Sequence, residues 1–218
     1  MRRGSSGSRR RTGGDRDAVL VSNSLGTAVA LLISVQHPRR VAGFVAIGTT
    51  LNVPGTATDP LTRALLTFEE PPGPDAGGWE RYNRAAMAAD YPGFARFFCF
   101  FCAHALSLPE EHPLVRQAVD WALETTPEVL AATVTARTAT DPAAQSELLR
   151  ALAAQVRCPA LVVHGSDDRI APPAFSDALA RALGTRALML DGAGHCPQVT
   201  EPDRVNRILR DFADAHVR

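Results

Sequence analysis

Apolar residues first gather at Ala18-Val19-Leu20-Val21, a short continuous run of the kind a strand buried on both faces requires. Beyond the turn Ser22-Asn23-Ser24-Leu25-Gly26 the period becomes helical. Ala28, Leu31, Leu32 and Val35 recur at i, i+3, i+4 and i+7, and His37-Pro38 closes the segment. Val41 to Ile47 is apolar again and ends at Gly48. Strand, tight turn, helix and strand predict one parallel βαβ unit. A second unit closes the chain: Ala160 to His164 as a strand, Gly165 to Pro173 as a loop, Ala174 to Leu183 as a helix and Ala187 to Leu190 as a strand. An amphipathic last helix spans Arg204 to Val217, with Val205, Ile208, Leu209 and Phe212 on one face.

Between the two units, residues 51–157 carry helical periodicity throughout, in segments at Trp79–Asp90, Pro92–Leu106, Leu114–Glu124, Pro127–Thr138 and Ala143–Val156. Proline and glycine cluster around Glu70 to Gly78 and mark a loop or hinge ahead of these helices. The pattern predicts an α/β layer built from residues 18–50 and 158–218, interrupted by a helical lid at 51–157. Residues 1–17 hold no apolar side chain beyond the initiator methionine and read as a disordered basic leader.

Composition narrows this picture without pointing to chemistry. The chain has 218 residues, 45% of them hydrophobic and 21% charged, which excludes a disordered chain, a collagen-like repeat and a small disulfide scaffold. Its formal net charge is zero, although six arginines against two aspartates give the leader a local +4 and leave the remainder at −4. That balance gives no reason to expect a nucleic-acid partner. All 23 basic residues are arginine, a mark of GC-rich bacterial coding. The basic start followed by Ala18 to Val35 has the outline of an export signal, but Ser22, Asn23, Ser24 and Gly26 interrupt it and no small-residue cleavage site follows. No stretch is long and clean enough to span a bilayer. The four cysteines therefore read as reduced cytoplasmic thiols.

The turn at Ser22 to Gly26 is the first candidate for chemistry. A strand running straight into a helix forces the central residue, Ser24, into a strained backbone conformation and holds its hydroxyl above the carboxyl end of the strand. The backbone N–H of Leu25, at the start of the helix, faces the place where an oxyanion would develop. This pentapeptide resembles the nucleophile elbow G-x-S-x-G of the α/β-hydrolase family, with Ser22 in place of the first glycine. Downstream, His164-Gly165-Ser166-Asp167-Asp168-Arg169-Ile170-Ala171-Pro172 is similar to the family's acid loop. Gly192-Ala193-Gly194-His195 followed by Glu201-Pro202 is similar to its histidine loop.

The resemblance implies an α/β fold with a mostly parallel sheet and a helical cap, and a triad of Ser24, Asp168 and His195 with Leu25 N–H in the oxyanion hole. By motif position the acid is Asp168, while Asp167 caps the turn. Ser24 would attack an ester or related acyl substrate, His195 would serve as general base, and Asp168 would hold the imidazole tautomer. A serine at position 24 disfavours the family's epoxide hydrolases and haloalkane dehalogenases. Asn23 resembles the residue beside the nucleophile in some carbon–carbon bond hydrolases, and carboxylic ester hydrolysis is the default. The region from Phe68 to Trp121 is similar to the lid of actinobacterial members.

Two features invite other readings. Phe94, Phe97, Phe98 and Phe101 form one helical stripe, either the wall of an apolar substrate pocket or, favoured, a face packed onto the sheet domain. Cys99-Phe100-Phe101-Cys102-Ala103-His104 lacks a second ligand pair, so neither a metal nor another cofactor is expected. The family's sheet also has strands ahead of the elbow and a loop with a second oxyanion donor, where this chain shows only the basic leader. That predicts N-terminal strands lacking, impaired activity, and self-association through an exposed sheet edge. The rival reading, from another class, is a catalytically inactive binding or interaction protein.

Overall fold

The computed structural model describes residues 18–51, 60–73, 77–101, 108–138 and 141–216. The leader, Cys102 and His104 lie outside the described residues, as do the side chains of Cys99 and Phe101. The hydrophobic runs become four strands: β1 (Ala18–Asn23), β2 (Val41–Ile47), β3 (Ala160–Gly165) and β4 (Ala187–Leu190). They form one parallel sheet in the order β1-β2-β3-β4. Every residue of β2 is buried, as its unbroken apolar run requires.

Side-chain alternation divides the sheet's two faces. Phe44, Ala46 and Val162 face a cluster with Leu31 and Leu179, contributed by α1 (Gly26–Gln36) and α8 (Pro173–Ala182). Val45, Ile47, Val163 and Leu190 face the opposite cluster, with Val205, Ile208, Leu209 and Phe212 of α9 (Pro202–His216). The amphipathic face expected of the last helix is the one that packs.

The buried face of α1 differs from the expected stripe. Thr27, Ala30, Leu31 and Ser34 are buried, whereas Val29, Leu32 and Ile33 are exposed. The hydroxyl residues Thr27 and Ser34 fall on the buried face while apolar residues cover the other sides, so apolar periodicity does not mark the packed face. Small residues let it lie close to β1 and β2, and Ser34 satisfies its hydroxyl by donating to Ala30 O at 2.7 Å.

The intervening helices are α2 (Pro60–Leu66), α3 (Arg84–Ala89), α4 (Tyr91–Phe101), α5 (Pro113–Ala122), α6 (Pro127–Thr138) and α7 (Pro142–Ala153), with a 3₁₀ turn at Gly78–Arg81. The helix expected over Trp79–Asp90 is divided because Asn83 caps α3: its Oδ1 accepts from Ala86 N at 2.8 Å and its Nδ2 donates to Glu80 O at 2.7 Å. Phe94 and Phe97 are buried among Phe68, Tyr82, Met87 and Val134, with Phe98 packed beside them. Phe94, Phe97 and Phe98 of the stripe thus pack among the intervening helices rather than onto the sheet. Ile170, from the loop after β3, is the sheet side's buried member of that cluster. Helix α7 falls within residues 51–157 yet packs against α1 and α8, with Leu149 and Ala153 in the sheet's cluster.

Candidate active site

Because the strands are all parallel, the loops that follow them meet at one rim, and the carboxyl ends of strands are where open α/β sheets bind ligands. Ser24 follows β1, Gly48 follows β2, Asp168 lies three residues beyond β3, and His195 lies five beyond β4. Ser24 has φ of 53° and is the only non-glycine residue with positive φ among the described residues. A left-handed backbone costs an L-residue about 1–2 kcal/mol, so the turn must be held from outside. Ser24 N–H donates to Ile47 O at 3.0 Å, and Thr27 N–H donates to Ser24 O at 3.1 Å. Ser22 occupies the first small-residue position without loss, because its hydroxyl donates to Val45 O at 3.1 Å. A Cβ on Gly26 would lie 3.7 Å from Ser22 Cβ, an ordinary contact. Leu25 immediately precedes α1, and no side chain caps the helix there.

The acid loop is fastened at several points. Asp168 Oδ1 accepts the backbone N–H groups of Ile170 and Ala171, each at 2.9 Å. Its Oδ2 accepts from His195 Nδ1 at 2.7 Å. Burial alone would raise the Asp168 carboxyl; the His195 hydrogen bond and charge, with the Ala171 N–H and His164, outweigh it and hold the group below the ordinary carboxylate range. An ionised carboxylate only accepts, so Nδ1 carries the proton and Nε2 is left with its lone pair. Asp167, by contrast, is exposed and accepts from Ser166 Oγ at 3.1 Å.

The histidine loop is stitched to the acid loop through its backbone. Ser166 N–H donates to Leu190 O and Asp167 N–H to Ala193 O, both at 2.9 Å, while Gly192 N–H donates to Ser166 Oγ at 2.9 Å. Asp168 and His195 are both buried, so their pairing is largely shielded from solvent. Among the described residues no hydrogen bond joins Ser24 Oγ to the imidazole; the structure brings Asp168 and His195 into contact and sets Ser24 at the end of β1, on the same rim.

Sequence reasoning gave no contacts for three residues of this site. His164 is fully buried, its Nε2 donating to Ala171 O at 3.0 Å and its Nδ1 accepting from Ser176 Oγ at 2.7 Å. Burial pushes its pKa below the ordinary imidazole value, against the charge of Asp168. Asn23 Nδ2 donates to Ile47 O and to His195 O, each at 3.1 Å. Cys196, next to the histidine, has its thiol pushed up to about 11 by burial and by the Asp168 charge, so it is no thiolate nucleophile at neutral pH. A polar residue at the end of an otherwise apolar strand was the available signal for Asn23 and His164.

Among the described residues no cluster of three or more histidine, cysteine or acidic side chains could hold a metal ion. No helix of the described residues is long and apolar enough to cross a membrane.

Comparison with known proteins follows the same lines. The model of one family, described as Alpha/beta hydrolase family, matches residues 5–208. A pimeloyl-[acyl-carrier protein] methyl ester esterase of Neisseria meningitidis is 25% identical over 206 residues, covering 94% of this chain and 72% of that protein. Among solved structures, a thermophilic esterase from Thermogutta terrifontis is similar at a TM-score of 0.64 and 22% identity, over 91% of this chain and 65% of that one. A bromoperoxidase from Bacillus anthracis is similar at a TM-score of 0.67 and 18% identity, over 96% and 78%. At such identities the structural likenesses show the fold alone.

Proposed function

Since the chain belongs to the alpha/beta hydrolase family, we propose that it hydrolyses carboxylic esters through Ser24, His195 and Asp168. The observation that carries this reading is the 2.7 Å contact of His195 Nδ1 with Asp168 Oδ2, on the same rim as Ser24, a serine held at positive φ. The Neisseria relative's methyl ester esterase activity supports the ester as the bond broken.

The steps follow from those positions. Ser24 Oγ attacks the ester carbonyl carbon while His195 Nε2 takes its proton, and Asp168 stabilises the imidazolium that forms. The carbonyl electrons move to oxygen, where Leu25 N–H donates; one such donor is worth about 10²–10³ in rate. Collapse expels the alcohol, which takes the proton from His195. Water then attacks the acyl-serine with His195 again as base, releasing the acid and restoring Ser24.

A fluorophosphonate probe tests the reading, because it labels a serine only when a working base activates it. The expected result is labelling of the parent protein and none of Ser24→Ala, with p-nitrophenyl acetate hydrolysis lost in parallel. A parent chain that neither labels nor hydrolyses the ester overturns the proposal in favour of a binding protein.

A further inference from the structure

The carboxamide of Asn23 is the one side chain that reaches from the nucleophile turn to the histidine loop by hydrogen bonds among the described residues. Its Nδ2 donates at 3.1 Å both to Ile47 O, at the end of β2, and to His195 O, 172 residues away in the chain. Its Oδ1 accepts from Cys196 Sγ at 3.6 Å, so the same amide grips two consecutive residues of that loop. Ile47 O also accepts the backbone N–H of Ser24 at 3.0 Å. One carbonyl therefore ties the nucleophile's backbone and the amide that holds the base.

The floor beneath this grip is shaped for it. Gly48 has φ of 52°, and a Cβ there would lie 2.7 Å from His195 O and 3.2 Å from His195 Nδ1. The His195 carbonyl sits in the space that the missing side chain leaves, with Asn23 as its donor. Aspartate at position 23 would offer two acceptors to two carbonyl oxygens, and alanine would offer nothing to either.

We propose that Asn23 is a positioning residue that sets the imidazole of His195 relative to Ser24 by clamping the histidine loop to the elbow. It touches no reacting atom; it acts through the backbone of the residue that does. The kinetic arm rests on the hydrolase reading, whereas the spectroscopic arm does not. Alanine and aspartate at position 23 remove the clamp, and Asn23→Ser keeps one donor in a small side chain.

With p-nitrophenyl acetate as probe, Asn23→Ala should lower kcat about tenfold to a hundredfold, the scale of a 1 Å misplacement. KM should stay within about threefold, since no substrate contact is lost. Asn23→Asp should fall further, and Asn23→Ser should recover part of the loss at a similar melting temperature. In proton NMR, the downfield resonance of His195 Nδ1–H should shift or broaden in Asn23→Ala relative to the parent. Parent-like kcat with an unmoved resonance in folded Asn23→Ala overturns the proposal and leaves the hydrolase reading standing. A parent without ester hydrolysis or probe labelling overturns the hydrolase reading, and the resonance comparison still decides the clamp. An alanine variant that does not fold passes the decision to Asn23→Ser, where parent-like kcat and resonance sink it.

Discussion

His195 Nδ1 donates to Asp168 Oδ2 at 2.7 Å across 27 residues of chain, and both backbone N–H groups on Oδ1 leave that carboxylate little freedom to turn. Asparagine at 168 would present an NH₂ that can donate to Nδ1 and reverse the tautomer. Asp168→Asn is expected to lower kcat by about 10⁴ while KM changes little. Asp167→Asn alters an exposed turn residue and should leave kcat within about twofold. Steady-state kinetics on the two variants decides which carboxylate serves the histidine.

Stability should depend on pH through two buried groups. His164 titrates near 6.5 when unfolded and lower in the fold, because burial opposes its charge; Asp168, Asp177 and His195 are the titratable groups around it. Unfolding therefore takes up protons, so the stabilisation is full above about pH 6.5 and is lost as pH falls through the folded value. Asp168 acts with the same sign lower down, its stabilisation present above about pH 3.8 and lost as pH falls through its depressed folded value. Urea midpoints should be level above about pH 7 and fall on acidification. His164→Gln, less stable at every pH, should show a flatter slope below about pH 6.5; an unchanged slope contradicts the assignment.

Gly165 ends β3 directly under the histidine loop. A Cβ there would run into the backbone carbonyls of Ala193 and Gly194, which cannot swing aside as a flexible side chain could. Gly165→Ala should destabilise the fold by about 1–3 kcal/mol and slow ester hydrolysis, since the displaced backbone carries His195. Denaturant unfolding beside kcat measures both effects.

The sheet's first edge is apolar. Strand β1 has no partner on its outer side among the described residues, and Val21 (50% exposed), Val29 (56%) and Leu32 (42%) lie exposed on it and on α1. Unpaired apolar edges pair with further copies. Sedimentation velocity of the chain should show a mass that rises with concentration, and Val29→Glu should reduce the rise. A monomer over the whole range rules it out.

Much of the scaffold was legible in one dimension. Val41–Ile47, Ala187–Leu190 and Pro127–Thr138 stand where the hydrophobic runs placed them, because short apolar strands and a proline-led helix announce themselves locally. The order of the three motifs likewise put Ser24, Asp168 and His195 on loops after strands, which is where the fold carries them. The α1 face was misread because its packed side carries Thr27 and Ser34 while apolar residues lie exposed, and the Trp79–Asp90 helix because Asn83 capping outweighs continuous periodicity there.

By itself, then, the sequence determined the alternation of strands and helices and which residue types fall on the loops after the strands. It could do so because those features depend on neighbours within a few positions. Only the tertiary structure decided that two backbone N–H groups fix the Asp168 carboxylate as it meets His195, that Phe94 and Phe97 pack among the intervening helices, and that Asn23 holds a carbonyl 172 residues away. Those outcomes depend on parallel strands bringing distant loops to one rim, where a hydrogen bond is made or lost within a few tenths of an ångström.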